Sequence, residues 1–365
     1  MEIDKRGQII GHEIYEAVIR SKERMVYTDV SDMLEDPEAP QWERYSHIKD
    51  LLLDMEELAG LLRKRREAHG SIDFDLDESY IKLDDEGRPV DIGIAERRVA
   101  NKLIEDFMLA ANETVAEHFY WMGVPFVYRV HDKPQADRIT ELKRFLGRFG
   151  LILKGSADSI HPKALNELLA QAEEMEEQHV INTVTLRAMQ KAVYSPECLG
   201  HFGLGMKYYC HFTSPIRRYP DMMVHRLLAR YLAEGKSADK TKLEAQCVYA
   251  TEREIVASEA ERASIKYKMV EFMQDKIGQM FKGHVSGMSE WGIYVELNDT
   301  HIEGMAFLRD IEGDYYAYDD ARFEVVGRAT GRRIVFGEEV WVRVKGVDMR
   351  RRTLDFELIV GNKRK

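Results

Sequence analysis

His211-Phe212-Thr213-Ser214-Pro215-Ile216-Arg217-Arg218-Tyr219-Pro220-Asp221 runs straight into an apolar-periodic segment, Met222 to Leu232, and the rest of the chain is read outward from it. Pro215 and Pro220 forbid a regular helix through the stretch, and Pro220 stands where a first-turn proline is tolerated. The expected backbone is therefore a stiff loop entering a helix N-terminus. Between the prolines stand two adjacent guanidinium groups, Arg217 and Arg218. Two readings are open. Paired arginines beside free helix N–H groups and Ser/Thr hydroxyls form a phosphate-binding arrangement, because planar forks and backbone amides aim donors at one anion. The other reading is a structural arginine–carboxylate pair, with Asp221 capping the helix.

Upstream of the loop the periodicity is mostly helical. Tyr45 to Arg66 has helical spacing, Arg97 to Met122 reads as a long helix ended by Gly123, and Gln135 to Phe149 as one closed by Gly150. Pro162 to Glu177 and Val180 to Val193 give a helical pair, and Phe126 to His131 a short strand. Gly70 to Ile94 alternates as a hairpin around Asp84-Asp85-Glu86-Gly87. After the loop, Asp221 to Ala233 is helical up to Gly235, and Lys240 to Lys276 mostly helical. From Ile277 the pattern changes to short strands with glycine turns: Phe281 to Val285, Gly292 to Leu297, Ile302 to Phe307, Val340 to Val347 and Thr353 to Leu358. The fold class is α+β: a helix-rich mixed part followed by a five-stranded barrel of the OB type.

Composition excludes several classes. The chain has 365 residues, 44% of them hydrophobic, enough for two cores. Its apolar runs fall short of a membrane span and its first residues lack a signal-peptide core, so the expected location is the cytoplasm. Cys198, Cys210 and Cys247 are too few and scattered for a disulfide framework or a zinc site. A net charge of −11 argues against coating nucleic acid with the whole surface. Nearly all the negative excess lies before residue 277, and the chain ends in Lys363-Arg364-Lys365, which fits an acidic exterior around a basic channel.

The motif HFTSPIRRYPDMMVHRLL, residues 211–228, resembles the signature of the RNB family, the hydrolytic exoribonucleases of the ribonuclease R and ribonuclease II type. RMVYTDV (24–30), GSIDFD (70–75), IEDFMLAANETVAEHF (104–119), YRVHDKP (128–134), TLRAMQKAVY (185–194) and GHFGLGMKYY (200–209) match in the expected order. GHVSGMSEWGIYVEL, from Gly283, resembles the start of an S1-type RNA-binding domain. The resemblance implies that residues 1–276 are the C-terminal portion of an RNB catalytic domain, 277–361 an S1-type barrel, and 362–365 a basic tail.

It further implies 3′-to-5′ hydrolysis of single-stranded RNA to nucleoside 5′-monophosphates with Mg2+. The family holds that metal with aspartates spaced D-x5-D-x-D-D, upstream of all these motifs, and the spacing does not occur in this chain. Asp73, Asp75, Asp77, Asp84 and Asp85 are the nearest cluster and read as a solvated hairpin edge. Met1 is thus expected to begin part-way through the catalytic domain, with the metal ligands largely outside this chain and hydrolysis by the chain alone weak or absent. A non-catalytic RNA-binding module using the same channel and barrel is the alternative.

Residue by residue, Arg217 matches the arginine that meets the scissile phosphate, where a guanidinium would stabilise transition-state charge. Tyr27 and Glu105 resemble the pair that holds the terminal ribose; a phenol and a carboxylate can both bond a 2′-hydroxyl. Asp106 stands beside Glu105 and competes for that role. Phe74 resembles an aromatic clamp on the stacked bases, or else faces the core. Arg218, Tyr219 and His225 support the loop, and Asp221 with His225, four apart on one helix, also has metal-ligand spacing. In the barrel His284, Trp291, Tyr294 and Phe281 are candidates to stack on bases, with Arg343 and Lys345 for phosphates; Phe281 and Tyr294 can equally be barrel core. Tyr128, Arg129 and His131 carry a motif that the residues alone assign neither to channel nor to packing.

Overall fold

The alternation of helical and strand periodicity becomes discrete elements in a computed structural model, which describes residues 1–72, 78–173, 175, 178–235, 237–319, 322 and 324–359. In chain order they are β1 (Glu2–Ile3), β2 (Ile9–Gly11), α1 (Tyr27–Glu35), α2 (Gln41–Tyr45), α3 (Lys49–Ala68), β3 (Glu78–Leu83), β4 (Pro89–Ala95), α4 (Val99–Met122), β5 (Tyr128–Val130), α5 (Ala136–Leu146), α6 (Pro162–Ala172), α7 (Gln178–Ala188), β6 (Val193–Ser195), α8 (Tyr219–Glu234) and α9 (Lys240–Phe272). There follow β7 (Met280–Met288), β8 (Gly292–Leu297), β9 (Glu303–Phe307), β10 (Tyr316–Asp319), β11 (Glu324–Gly327), β12 (Arg333–Val335), β13 (Glu339–Asp348) and β14 (Thr353–Ile359). Among the described residues no helix is long and apolar enough to cross a membrane.

The chain divides into two compact units. The first is Met1–Phe74, Arg97–Glu173 and Val184–Ile255; the second is Asp75–Glu96, Glu174–Thr183 and Val256–Lys365.

In the first unit α4 is the long beam. Ala100, Leu103, Ala110, Val115, Ala116 and Phe119 form its buried stripe, and Gly123, in the left-handed region at φ 66°, ends it as a residue without Cβ can. Phe119 stacks on Phe126 with ring centres 4.2 Å apart, fixing the return of the chain into β5. Along α4 the fully buried Asp106 accepts from two arginines of α3, Arg63 (Nη2, 2.7 Å) and Arg66 (Nη1, 2.7 Å), clamping the two helices together. At the start of α4, Ser31 Oγ of α1 accepts the Ala100 N–H at 3.2 Å.

In the second unit five strands close a barrel in the order β13-β14-β9-β8-β7, with β7 pairing back on β13. All pairings are antiparallel except β14 with β9. Alternation fills the interior: Ile293, Val295 and Leu297 of β8 point inward together with Val342, Val344 and Phe356. Gly304 is required by the packing, since a Cβ there would sit 2.5 Å from the Phe356 ring. The strands expected from sequence match these five within two or three residues at each end.

A second antiparallel sheet, β10-β11-β12, separates β9 from β13, where the sequence reading passes from Phe307 to Val340 without a strand. Three to four residues per strand give too short an alternation to stand out. The hairpin appears as β3 and β4, turned by Asp84, whose Oδ1 accepts the N–H groups of Glu86 (3.0 Å) and Arg88 (2.7 Å). The alternation expected over 73–77, and with it Phe74, Asp73, Asp75 and Asp77, lies outside the described residues.

Candidate nucleic-acid interface

The loop at 211–221 is built by its own polar groups. Ser214 and Pro215 open a turn in which the Ser214 carbonyl accepts the N–H groups of Arg217 (3.2 Å) and Arg218 (3.0 Å), the positions serine and proline favour in such a turn. Asp221, in the first turn of α8 and without solvent exposure, accepts on Oδ1 from the Ser214 N–H at 2.7 Å and from Arg218 Nη2 at 2.9 Å. The N-cap position is Arg218, and no side chain caps the helix there; Asp221 ties the loop instead of capping. The two arginines therefore part company. Arg218 is held in a buried ion pair, while Arg217 is exposed and makes no hydrogen bond or ion pair through its guanidinium among the described residues. Tyr219 and Ile216 are exposed beside it.

Behind the loop, one asparagine of α4 sets the backbone. Asn112 Oδ1 accepts the consecutive N–H groups of Phe212 (2.9 Å) and Thr213 (3.2 Å), and its Nδ2 donates to Tyr209 Oη at 3.2 Å. From the other side His225 bonds the Phe212 carbonyl through Nε2 at 2.9 Å and stacks on the Phe212 ring at 4.3 Å. His225 is thereby committed to the loop rather than to a metal. Beneath these lies a chain of edge-on rings, His131 to His201, His201 to Tyr209, Tyr209 to His211 and His211 to Tyr194, each pair 5.0 to 5.7 Å between centres. Burial, with Arg218, Arg129, His201 and Arg217 nearby, pushes the His211 imidazole down to about 2. Burial, then His131 and Arg129, brings His201 to about 3. Arg129 pairs with Glu254 at 2.6 Å and lies over the Tyr194 ring at 4.5 Å, so within the YRVHDKP motif it packs the loop's support.

The ribose-binding candidates sit on two helices, Glu105 on α4 and Tyr27 on α1. Asp106 is spent on Arg63 and Arg66, which leaves Glu105 as the half-exposed carboxylate, with Arg97 Nη2 donating to it at 2.6 Å. Glu105 and Asn112 are seven residues apart on α4, two turns along nearly one face, so their backbones are separated by about 10 Å. Tyr27 is exposed at the first turn of α1. Among the described residues no hydrogen bond or ion pair joins Tyr27 or Glu105 to the loop itself; for Glu105 the helix running to Asn112 is the link.

In the barrel unit Trp291 is 74% exposed in the β7–β8 turn, and Tyr294 faces outward over Gly287. Phe281 packs against the barrel core. His284 is largely covered, its Nδ1 3.3 Å from Asn298 Oδ1 and its Nε2 4.0 Å from Glu296. Arg343 and Lys345 are tied to Glu357 (2.9 Å) and Asp310 (2.8 Å).

No group of three or more His, Cys, Asp or Glu side chains among the described residues could hold a metal ion. Asp221 Oδ2 is buried without a partner, but it is a single carboxylate already facing the Arg218 cation, which would repel a divalent ion. The described residues do not fit Mg2+. Asn112 and Glu254 were not singled out by sequence reasoning; Asn112 ends the AAN of a matched motif, and a polar residue in an apolar helix stripe was the signal available.

The family model described as "RNB domain" matches residues 1–234. Ribonuclease R 1 of Lactococcus lactis is 36% identical over 365 residues, taking in 98% of this chain and 44% of that protein. Ribonuclease R of Thermotoga maritima is 38% identical over 367 residues, 98% of this chain and 51% of that one. The solved structure of Mycoplasma genitalium RNase R in complex with ribose methylated single-stranded RNA aligns with a TM-score of 0.89 at 26% identity, covering 98% of this chain and 56% of that chain. The chain spans about half the length of the relatives it matches.

Proposed function

The chain belongs to the RNB domain family, and on that premise we propose that it is the RNA-gripping portion of a 3′-to-5′ exoribonuclease of the ribonuclease R type, acting in the cytoplasm. Such an enzyme hydrolyses single-stranded RNA to nucleoside 5′-monophosphates. Arg217 meets the scissile phosphate, Glu105 and Tyr27 hold the terminal ribose, and the barrel of residues 277–361 serves as an S1-type platform through Trp291 and Tyr294. Arg218 and Tyr219 shape the loop that offers Arg217. Magnesium would supply charge neutralisation and an activated water to such an enzyme, held by carboxylates other than the described ones.

One observation carries the reading. Of two adjacent arginines, one is neutralised by a buried aspartate while the other stands exposed without an anionic partner among the described residues. A guanidinium held on a stiff loop and left unpaired is a phosphate receptor in waiting. The M. genitalium relative binds ribose methylated single-stranded RNA, which supports RNA as the ligand here.

The test is labelled single-stranded RNA incubated with the chain and Mg2+. Retention without shortening is expected, and Arg217→Ala should weaken retention on the order of tenfold, the loss of one charge-assisted contact. Shortening of the RNA by this chain would overturn the assignment of the metal ligands, and failure to bind would overturn the RNA reading itself.

A further inference from the structure

The second unit carries a cleft that none of the matched motifs includes. It measures about 210 Å3 and is lined by Arg262, Ile265, Lys266 and Met269 of α9 facing His301, Ile302 and Glu303 at the start of β9. These helix residues fall at i, i+3, i+4 and i+7, so they form one stripe on one face. Val270, Ile302 and Leu354 are buried in the barrel core and make an apolar floor. Above that floor Arg262 and Lys266, one turn apart, are exposed and have no carboxylate partner among the described residues.

Two details argue that this is more than a gap between helix and barrel. His301 sits at φ 53°, in the left-handed region that a residue with a side chain seldom adopts, and its Nδ1 is bonded to Glu296, so the ring's placement is enforced. Glu303, the one acid of the lining, is drawn toward Ser286 Oγ, which donates to it at 2.8 Å. The lining thus offers an apolar floor under two exposed cations, and its described carboxylate, Glu303, is turned to a neutral hydroxyl rather than to either cation, so positive charge exceeds negative there. That combination suits a ligand with one flat apolar face and one anionic group.

We propose that this cleft binds one nucleotide of single-stranded RNA, its base or ribose against Ile265 and Met269 and its phosphate between Arg262 and Lys266. The inference rests on the RNA-binding reading above and adds to it a subsite on the barrel unit, built from residues other than those of the Arg217 loop. Apolar contact with a base or ribose and a phosphate grip together read no base edge, so the subsite tolerates any sequence.

The experiment measures single-stranded RNA binding by the full chain across a salt series for the wild type, for Arg262→Gln/Lys266→Gln, and for a control that removes two exposed cations of α5, Arg138→Gln/Arg144→Gln. Loss of one phosphate contact should make the log–log salt slope shallower by about 0.7, equivalent to about fivefold weaker binding at ~0.1 M salt, with no such change in the control. As a readout independent of the variants, RNA carrying 4-thiouridine should cross-link to the wild-type peptide 262–270. Unchanged slope in the double variant, or cross-links confined to other peptides, overturns the subsite while leaving binding at the loop intact. A wild-type chain that retains no RNA overturns the proposed function first, and the subsite with it.

Discussion

Replacing Arg218 and replacing Arg217 should have opposite consequences, although the two residues are neighbours of the same type. Asp221 is without solvent exposure and the Arg218 side chain is only 20% exposed, so Arg218→Met leaves a buried carboxylate uncompensated. Breaking a buried pair from one side costs about 3–5 kcal/mol. With a urea slope of ~2 kcal/mol/M, the unfolding midpoint of the helical unit, followed by far-UV circular dichroism, should fall by about 1.5–2.5 M. Arg217→Ala removes no side-chain hydrogen bond or ion pair among the described residues and should leave stability within about 0.5 kcal/mol of wild type, while weakening RNA retention. The double replacement Arg218→Met/Asp221→Leu should regain part of the loss, since it removes the orphaned charge, but not all of it, since the Ser214 N–H loses its acceptor. The reasoning is refuted if Arg218→Met is as stable as wild type, or if Arg217→Ala is equally damaging; either result would mean that the roles within the pair are reversed or shared.

Asn112→Ala removes the acceptor of two consecutive loop N–H groups and a donor to Tyr209, so a loss of about 2–5 kcal/mol is expected by urea unfolding; Asn112→Asp, which keeps the acceptor, should retain more RNA binding than Asn112→Ala. Acid should destabilise the chain before its carboxylates titrate. His211 and His201 are held neutral with folded values of about 2 and about 3, below the ordinary histidine value of ~6.5. Their stabilising contribution is therefore complete above pH ~6.5 and is lost as pH falls toward the folded values, because the unfolded chain takes up the protons first. From pH ~6.5 to ~5 the two together should lower stability on the order of 3 kcal/mol, and His211→Gln should flatten that dependence in pH-resolved urea melts. A pH-independent midpoint over this range would show that the two rings are not buried neutral.

Much of this architecture was legible because its signals are local. Gly123 and Gly235 ended helices where the left-handed conformation was needed, and the alternation of Ile293, Val295 and Leu297 announced a strand with one buried face. The loop's character followed from Pro215 and Pro220. The choice between Glu105 and Asp106 could not be made from sequence, because it depends on Arg63 and Arg66, some forty residues away, meeting Asp106 across a helix pair. The two readings of the arginine pair stay open in the sequence for the same reason: only the burial of Asp221 shows that the arginine–carboxylate pairing falls to Arg218, without the capping expected of Asp221, and that Arg217 is left exposed.

That division of labour explains why two arginines stand together. A single exposed guanidinium on a loop loses rotational freedom on binding, and the cost is lower if the backbone beneath it is already immobile. Here Arg218, through Asp221, pins the segment from Ser214 to the first turn of α8, and Asn112 and His225 fix the approach at Phe212 and Thr213. The adjacent residue of a turn points elsewhere, so the immobility secured by Arg218 is delivered to Arg217 at no distance along the chain. Exchanging the order of commitment, so that Arg217 held Asp221, would turn the free guanidinium toward the helix and leave the loop surface without its cation. The sequence Arg-Arg is symmetric on paper, but the buried carboxylate seven residues after Ser214 makes it directional: it commits Arg218 to the interior and leaves Arg217 as the exposed cation of the loop.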